Sequence, residues 1–534
     1  MSSFSLSKTQ EVVLFSSTAI ALYGYDQGMM SLINTNEDYL QTMGIGPEDP
    51  MVGILVAVYY LGCSLGAVLF SWLSDNHGRK KAIFACLAAA SLGNLIMFVT
   101  GLGGWTGNAI HMFWVGRVVM GLGVGGIDAV IPVFSSELSS DGARGKALAQ
   151  EFQMNIFGLN MAFAINIAVT HTLGKSNQWA WRTPIVVMQA YPALLFLVIG
   201  RLPESPRWFI FHGKGEAAKE ALIDIYGDEE GEEKAKELFE AHEKEKDDEA
   251  VTYTNMLTPG KPTFHPTVVV LMGQINQALT GYGAVSVYGP QIFEVGQPPS
   301  SRLLTVRLTT PTKLLGFDVR MAEYITQANY VSYFFLMTLA WILIDAVGRR
   351  KLMLGGSAAL TTCFALLTLF GALAMNSPSQ GGLGAPAILG TVTLFIATGA
   401  FGIGWLATVW LIPTEIYATT ARAQASAISV IVWGLANFAV TLLSPLMFNN
   451  LKYWIFLIFA ATNAFAGVWT YVYLPESGGR SFRDNQQFFI DASEAGSWRV
   501  AKVSGGVYKK LAYGGTEGEN EPLLQRLQDQ VQEL

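Results

Sequence analysis

A short polar stretch, Ser74-Asp75-Asn76-His77-Gly78-Arg79-Lys80-Lys81, stands between two long apolar runs, and its pattern returns. Asp345-Ala346-Val347-Gly348-Arg349-Arg350-Lys351 repeats the Asp-x-x-Gly-Arg spacing about 270 positions later, again between apolar runs. Glu137, followed seven residues on by Arg144, is matched by Glu415 and Arg422, and Pro203-Glu204-Ser205 by Pro475-Glu476-Ser477. Landmarks that recur in one order at nearly one offset are the signature of an internal duplication, so the chain is expected to fold as two like halves.

Composition decides which solvent those halves face. Charged residues make up 14% of the 534 and hydrophobic residues 51%, whereas a soluble domain carries about 25% charged residues. The bilayer must therefore solvate much of the surface. Duplicated halves in a membrane protein are the mark of a transporter. The net charge of −7 says little, because acids and bases are segregated along the chain. Cys63, Cys86 and Cys363 all lie in apolar runs and read as small buried hydrophobes rather than a disulfide or metal framework. Met1 to Glu11 is polar and lacks the basic region and cleavage site of a secretory signal, so the first apolar run reads as a retained anchor. No nucleophile–base set or metal spacing stands in any loop, which argues against an enzyme, and no basic patch supports nucleic-acid binding. No cofactor is expected beyond a proton gradient.

At about 20 apolar residues per span, the chain is expected to be an all-α membrane protein of twelve helices. The first half gives Val12–Leu32, Val52–Trp72, Ala82–Gly101, Met112–Phe134, Leu148–Thr170 and Pro184–Arg201. The second gives Thr267–Phe293, Ala322–Ile344, Leu352–Ala374, Ile388–Ile412, Ala425–Phe448 and Trp454–Leu474. The expected domains are an N-terminus over 1–11, a six-helix bundle over 12–201, a central loop over 202–266, a second bundle over 267–474 and a tail over 475–534. Arg79 to Lys81, Arg144, Lys146, Arg349 to Lys351 and Arg422 fall on one side. The loops Asn34–Pro50, Leu102–His111 and Asn376–Pro386 hold no Lys or Arg. The positive-inside rule then places both termini and the central loop in the cytoplasm. Within that loop, Lys214–Glu249 reads as short solvated amphipathic helices that tether the halves.

Val295–Lys313 departs from the pattern, with Arg302, Arg307 and Lys313 on the outer side and no periodicity. Two readings stay open: translated intron, since Phe293-Glu294 would otherwise run straight into Leu314-Leu315, or a genuine outer loop. Past Phe489 the chain turns polar and Gly-rich and is expected to be largely disordered. Glu519 to Leu524 fits an acidic di-leucine sorting signal for an endosomal or vacuolar membrane; the plasma membrane is the default location.

The repeated polar clusters suggest a gate. Gly78 permits a tight turn, Asp75 and Arg79 can pair, and Glu137 and Arg144 are natural partners at the same end. Asp345, Gly348, Arg349, Glu415 and Arg422 form the matching set. Asp26, in Gly24-Tyr25-Asp26-Gln27-Gly28, lies well inside the first helix, where an ionisable group is expensive and usually functional. Arg117 in the fourth helix is its ready partner. The pair is either a proton-coupling site or a static clamp between helices one and four. Asp128, about 20° round the helix from Arg117 and ~16 Å along it, is expected nearer the outside. Glu151 sits early in helix five beside Gln153 and Asn155. Either acid is a candidate to bind solute or relay a proton, or simply to snorkel.

With these residues assembled, the chain resembles the sugar porter family of the major facilitator superfamily, particularly its fungal members. The resemblance runs from helix one to about Phe489. It rests on Gly24–Gly28, Ser74–Lys80, Gly116-Arg117, Pro132 to Gly145, Pro203–Trp208, Asp345–Arg350, Trp410–Tyr417 and Pro475–Phe482. It implies the major facilitator fold, alternating access by two six-helix bundles, and a sugar, polyol or sugar acid bound between them. It implies also that Asp26 and Arg117 match the coupling pair of proton-linked relatives; glucose facilitators have Asn at the aspartate. A monomer is expected.

The solute positions match poorly. Phe152 stands where hexose carriers place a Gln, with Gln153 adjacent. Helix seven keeps Gln277 and Gly281 but reads Ala278, Thr280, Tyr282 and Gly283 elsewhere. Tyr333 replaces an Asn, Gly402 an acidic or polar residue, while Trp410 and Asn437 are kept and a Trp is displaced to Trp433. A site built to bind hydroxyls loses much when donors vanish. The pocket is thus either re-equipped from Asn155, Asn160, Gln274, Asn276 and Asn329 beside the candidates Gln153, Gln277 and Asn437, or shaped for something less polar than glucose. Phe152, Tyr282, Tyr333 and Trp410 offer a stacking face, against ordinary packing. Uniport and a non-transporting nutrient sensor remain the alternatives, the short tail counting against the second.

Overall fold

The computed structural model describes residues 7–46, 49–104, 106–138, 144–245, 252–293, 319–376, 384–417, 421–480, 482–503 and 506. The irregular stretch Val295–Lys313 and the di-leucine match at Glu519–Leu524 lie outside these residues. Twelve spans account for the membrane part. In the first half they are α1 (Lys8–Ile33), α2 (Pro50–His77), α3 (Arg79–Val99), α4 (Ala109–Leu138), α5 (Arg144–Leu173) and α6 (Gln178–Arg201). In the second they are α7 (Phe264–Leu279 and Tyr282–Phe293), α8 (Val319–Val347), α9 (Arg349–Asn376), α10 (Ala385–Ile416), α11 (Arg422–Leu451) and α12 (Trp454–Tyr473). Ten are long and apolar enough to cross a membrane as they stand. α1 carries Lys8, Glu11 and Asp26, and α7 is broken, so these two complete the set.

Several boundaries differ from expectation, each for a local reason. α7 is not one rod from Thr267 to Phe293: it stops at Thr280-Gly281, where Gly281 adopts φ 83°, a conformation costly for any side chain. α10 passes through a π-helical turn at Gly402–Leu406 and runs on to Ile416, past Pro413, so Glu415 lies within it. α4 likewise extends to Leu138 and includes Glu137. α6 starts at Gln178 and is jointed at Gln189, three residues before Pro192. Such interruptions are tolerated where neighbouring helices satisfy the freed backbone groups.

The region after α12 corrects the sequence reading. Phe482–Glu494 is an amphipathic helix that continues past Phe489, and a 3-10 turn follows at Val500–Lys502. Phe488, Phe489, Val500 and Val503 are buried, Trp498 stacks on His265 at 4.7 Å, and Glu476 N donates to Gly506 O. Apolar residues spaced through a polar segment thus dock it under α7 and α12. The central loop is helical as expected, over Pro206–Phe211, Gly215–Tyr226, Asp228–Glu245 and Tyr253–Leu257.

The halves meet along two seams. In one, α2 runs beside α11: Ser64 donates to Ile431 O at 3.0 Å and Pro445 Cγ lies 3.2 Å from where a Cβ on Gly53 would be. In the other, α5 runs beside α8, with Asn160 donating to Tyr330 O at 2.9 Å. Within the first half, Gly24 and Gly28 let α1 approach α5 until a Cβ at either would collide with the carbonyls of Asn155 and Leu159. Small residues at this spacing are the usual means of close packing where no hydrophobic effect drives helices together.

Candidate functional site: a buried ion pair between matched clusters

One face of the molecule carries the two repeated clusters. Gly78 turns the chain between α2 and α3 with φ 101°, and Gly348 does the same between α8 and α9 with φ 94°. α3 therefore begins at Arg79 with its first N–H groups uncapped by any neighbour in sequence. Glu204, from the start of the central loop, supplies the cap: its carboxylate accepts from Arg79 N at 2.9 Å and Lys80 N at 3.1 Å. Glu476 serves α9 identically, accepting from Arg349 N at 2.8 Å and Arg350 N at 3.2 Å. An anion at a helix N-terminus satisfies free donors and the helix dipole together. Burial pushes both carboxyls above their usual range, and the donated backbone N–H groups and the arginines pull them back down in part.

Each arginine then closes the cluster. Arg79 pairs with Asp75 at 3.0 Å and Glu137 at 3.1 Å, and also donates to Ser74 O. Arg349 pairs with Asp345 at 2.8 Å and Glu415 at 2.6 Å, and also donates to Ile344 O. The gate residues singled out in the sequence are thus brought together, and Glu204 and Glu476 join them as caps. Arg144 opens α5, but its side chain lies outside the described residues; Arg422 is buried at the start of α11. The next residue, Gly145, reaches the second half: a Cβ there would collide with Asp345 Oδ1 and lie 2.9 Å from Arg349 Nη2. The halves are therefore closed against each other on this face.

Asp26 and Arg117 meet at 2.5 Å, each 1% exposed, in the part of the first half farther from the clustered face. Arg117 also donates to Leu55 O and Val56 O at 3.3 Å and lies 4.6 Å from the Tyr59 ring centre. Asp26 therefore depends on one arginine that α2 holds in place. Asp128 is buried, and its Oδ2 has no hydrogen-bond partner. Its position corrects the expectation: α4 runs towards Glu137, so Asp128 lies nearer the clustered face than Arg117 does, not farther from it. Glu151 accepts from Ser135 and leaves its other oxygen unpartnered.

The expected solute-binding amides are mostly engaged elsewhere. Gln153 donates to Phe334 O and Thr338 Oγ1, Gln277 to Trp405 O and Leu406 O, and Gln274 to Ser429. Asn155 reaches Ile20 O at 3.5 Å, Asn437 donates to Trp433 O, and Asn329 accepts from Thr398. Asn276 has no partner at either side-chain atom and lies on the opposite side of α7 from Gln274. What fills the centre is aromatic. Trp433 touches Tyr23, Tyr60 and Trp410 at 5.4, 5.4 and 5.7 Å, and Trp410 touches Phe152 at 5.3 Å. Tyr282 stacks on Phe401 at 4.2 Å.

The opposite face holds a contact that the sequence reading missed. Glu323 of α8 is 1% exposed, yet it pairs across the halves with His171 at 2.8 Å and Lys175 at 3.1 Å. Tyr324 O–H meets the other His171 nitrogen at 3.1 Å. The signal was present: Glu323 is a lone acid at the edge of an apolar run, but its partners are 150 positions distant.

This arrangement is that of the major facilitator fold. The backbone superposes on the proton:xylose symporter XylE bound to 6-bromo-6-deoxy-D-glucose with a TM-score of 0.75, covering 90% of this chain and 99% of that one at 21% identity. A partially occluded inward-open structure of XylE from E. coli gives 0.70. Residues 12–489 match the family described as sugar (and other) transporter, and the chain belongs to that family. Among curated relatives it is 28% identical to the MFS-type transporter oryC of Aspergillus oryzae, covering 90% of this chain and 85% of that protein. It is 27% identical to the sugar transporter STL1 of Saccharomyces cerevisiae, with 92% and 83% covered. With the major myo-inositol transporter IolT of Bacillus subtilis the identity is 25%, with 92% and 96% covered.

Proposed function

We propose that the protein carries a sugar-like solute across a membrane together with a proton, by alternating access of its two halves. The observation that bears most weight is the Asp26–Arg117 pair, buried between α1 and α4. A carboxylate with a single cationic partner and no water shell must either keep that partner or take up a proton when the helices part. Motion that alternately exposes Asp26 to the two sides then moves one proton per cycle. The paired clusters at Arg79 and Arg349 act as the gate on the basic, cytoplasmic side, and Glu323 with His171 and Lys175 as the gate on the outer side. Asp128 and Glu151 are further buried acids of the first half and the candidates to relay the proton beyond Asp26. The plasma membrane is the expected location and a monomer the expected unit.

The test is uptake of labelled sugars, polyols and sugar acids into transporter-deficient cells, at acid and at mildly alkaline pH, by wild type and Asp26→Asn. Symport predicts uptake that is stronger at acid pH and loses its dependence on the gradient in Asp26→Asn. Uptake indifferent to both pH and substitution would establish a facilitator instead. No uptake by protein present at the cell surface would favour a sensor.

A further inference from the structure

Two hydroxyls at the centre of the second half have only each other for polar company. Tyr333 on α8 and Tyr282 at the start of the second piece of α7 are buried, and neither hydroxyl makes a hydrogen bond of good geometry. Their rings meet edge to face at 5.1 Å, and Phe401 lies parallel to Tyr282 at 4.2 Å. An unpartnered buried hydroxyl carries its full desolvation cost, and in a native interior it calls for a partner that arrives from outside.

This aromatic wall exists because residue 402 is glycine. A Cβ on Gly402 would collide with Cε2 of Tyr333 and stand 3.1 Å from its Cδ2 and 2.9 Å from Met337 Sδ. Gly402 also opens the π-helical turn of α10, whose carbonyls at Trp405 and Leu406 hold the Gln277 amide. Beside the wall, Asn437 Oδ1 lies 3.2 Å from where a Cβ on Gly283 would stand. The three rings are buried against one another, so a solute that parts them meets few polar groups, gathered at one edge, and a broad ring surface.

We propose that Tyr333, seated in the space Gly402 leaves, makes the central site selective for a neutral sugar derivative carrying an aromatic substituent over the parent sugar. The substituent lies against Tyr333, Tyr282 and Phe401, where ring pairs add attraction beyond their buried area. The two tyrosine hydroxyls meet the sugar oxygens next to it. This inference rests on the sugar-carrier reading but not on proton coupling, so a failure of coupling in the Asp26→Asn test would leave it standing.

The experiment titrates the purified full-length protein with phenyl β-D-glucopyranoside and with D-glucose, reading the intrinsic fluorescence of Trp410 and Trp433. The aryl glucoside is expected to bind about tenfold more tightly. Tyr333→Asn should bring the two probes to comparable affinity, Gly402→Ala should weaken the aryl glucoside most, and Tyr333→Phe should keep the preference. If Tyr333→Asn does not fold, Tyr333→Leu, which keeps an apolar side chain without a ring, decides the point. Equal affinities in wild type, a preference that survives loss of the Tyr333 ring, or no binding of either probe would overturn the proposal.

Discussion

The two turns at Gly78 and Gly348 are near copies, whereas the interiors they guard have diverged. Each turn places an arginine between an aspartate four residues back and a glutamate on the fourth helix of its half, with a distant glutamate capping the helix that follows. Inside the membrane the symmetry ends. Asp26, Arg117, Asp128 and Glu151 all belong to the first half, while the second presents Tyr282, Tyr333, Phe401, Trp410 and Trp433. Under the proposed alternating access the difference separates two tasks. A rocking motion would load both halves alike and call for the same lock on each. Coupling a proton and holding a solute would call for different chemistry, the buried acids of the first half and the rings of the second.

That contrast can be broken most forcefully at the locks. Arg79→Ala and Arg349→Ala each leave carboxylates without their buried cation, a loss of about 3–5 kcal/mol in such pairs. Both variants should show markedly lowered melting temperatures and transport, to a similar degree. Arg→Lys at either site should rescue poorly, because each guanidinium serves several acceptors that an ammonium cannot reach together. If one half tolerates the loss, the functional symmetry is false.

A smaller effect is expected at the contact on the opposite face. Glu323→Gln removes the charge that His171 and Lys175 share, but both partners are partly exposed, so the change should be modest. Spin labels on the ends of α5 and α8 should report a population about two- to fivefold richer in the separated state. Reversing the pair, with Glu323→Lys and Lys175→Glu together, should restore the wild-type distance distribution. An unchanged distribution in Glu323→Gln would show that this contact holds nothing shut.

The smallest effect concerns Glu204 and Glu476. Their folded carboxyls titrate above the ordinary range because burial disfavours the charge. A raised acid binds its proton more tightly when folded, so its contribution to stability is full below the unfolded value and lost as pH rises towards the folded one. Melting temperature should therefore rise slightly on moderate acidification, and less so in the Glu204→Gln, Glu476→Gln double variant. A double variant with the same pH profile as wild type would remove these two groups from the account.

Much of this was legible because it depends on pattern. Twelve apolar runs, the repeat and the basic loops follow from the cost of placing backbone and charge in lipid, which acts on every residue locally. Asp26 and Arg117 stood out for the same reason. The caps were half-visible: the Pro-Glu-Ser repeat was seen, but nothing in the sequence says that Glu204 reaches the first N–H groups of α3. The stretch just past Phe489, as far as Val503, was misread because its docking residues are scattered through a polar segment.

What the sequence by itself determined is the architecture: two homologous six-helix halves, a charged pair in the membrane and a duplicated lock. Only the tertiary structure decided which polar groups are left for a solute. Gln153, Gln277 and Asn437 look like binding residues in the sequence, yet each donates its amide to a backbone carbonyl. Tyr333 stood open between a stacking face and ordinary packing, and its hydroxyl makes no hydrogen bond of good geometry. The physical reason is that hydrophobic periodicity is a local property of the chain, whereas the satisfaction of a buried hydrogen bond depends on which helices a broken α7 and a bent α10 bring within 3 Å.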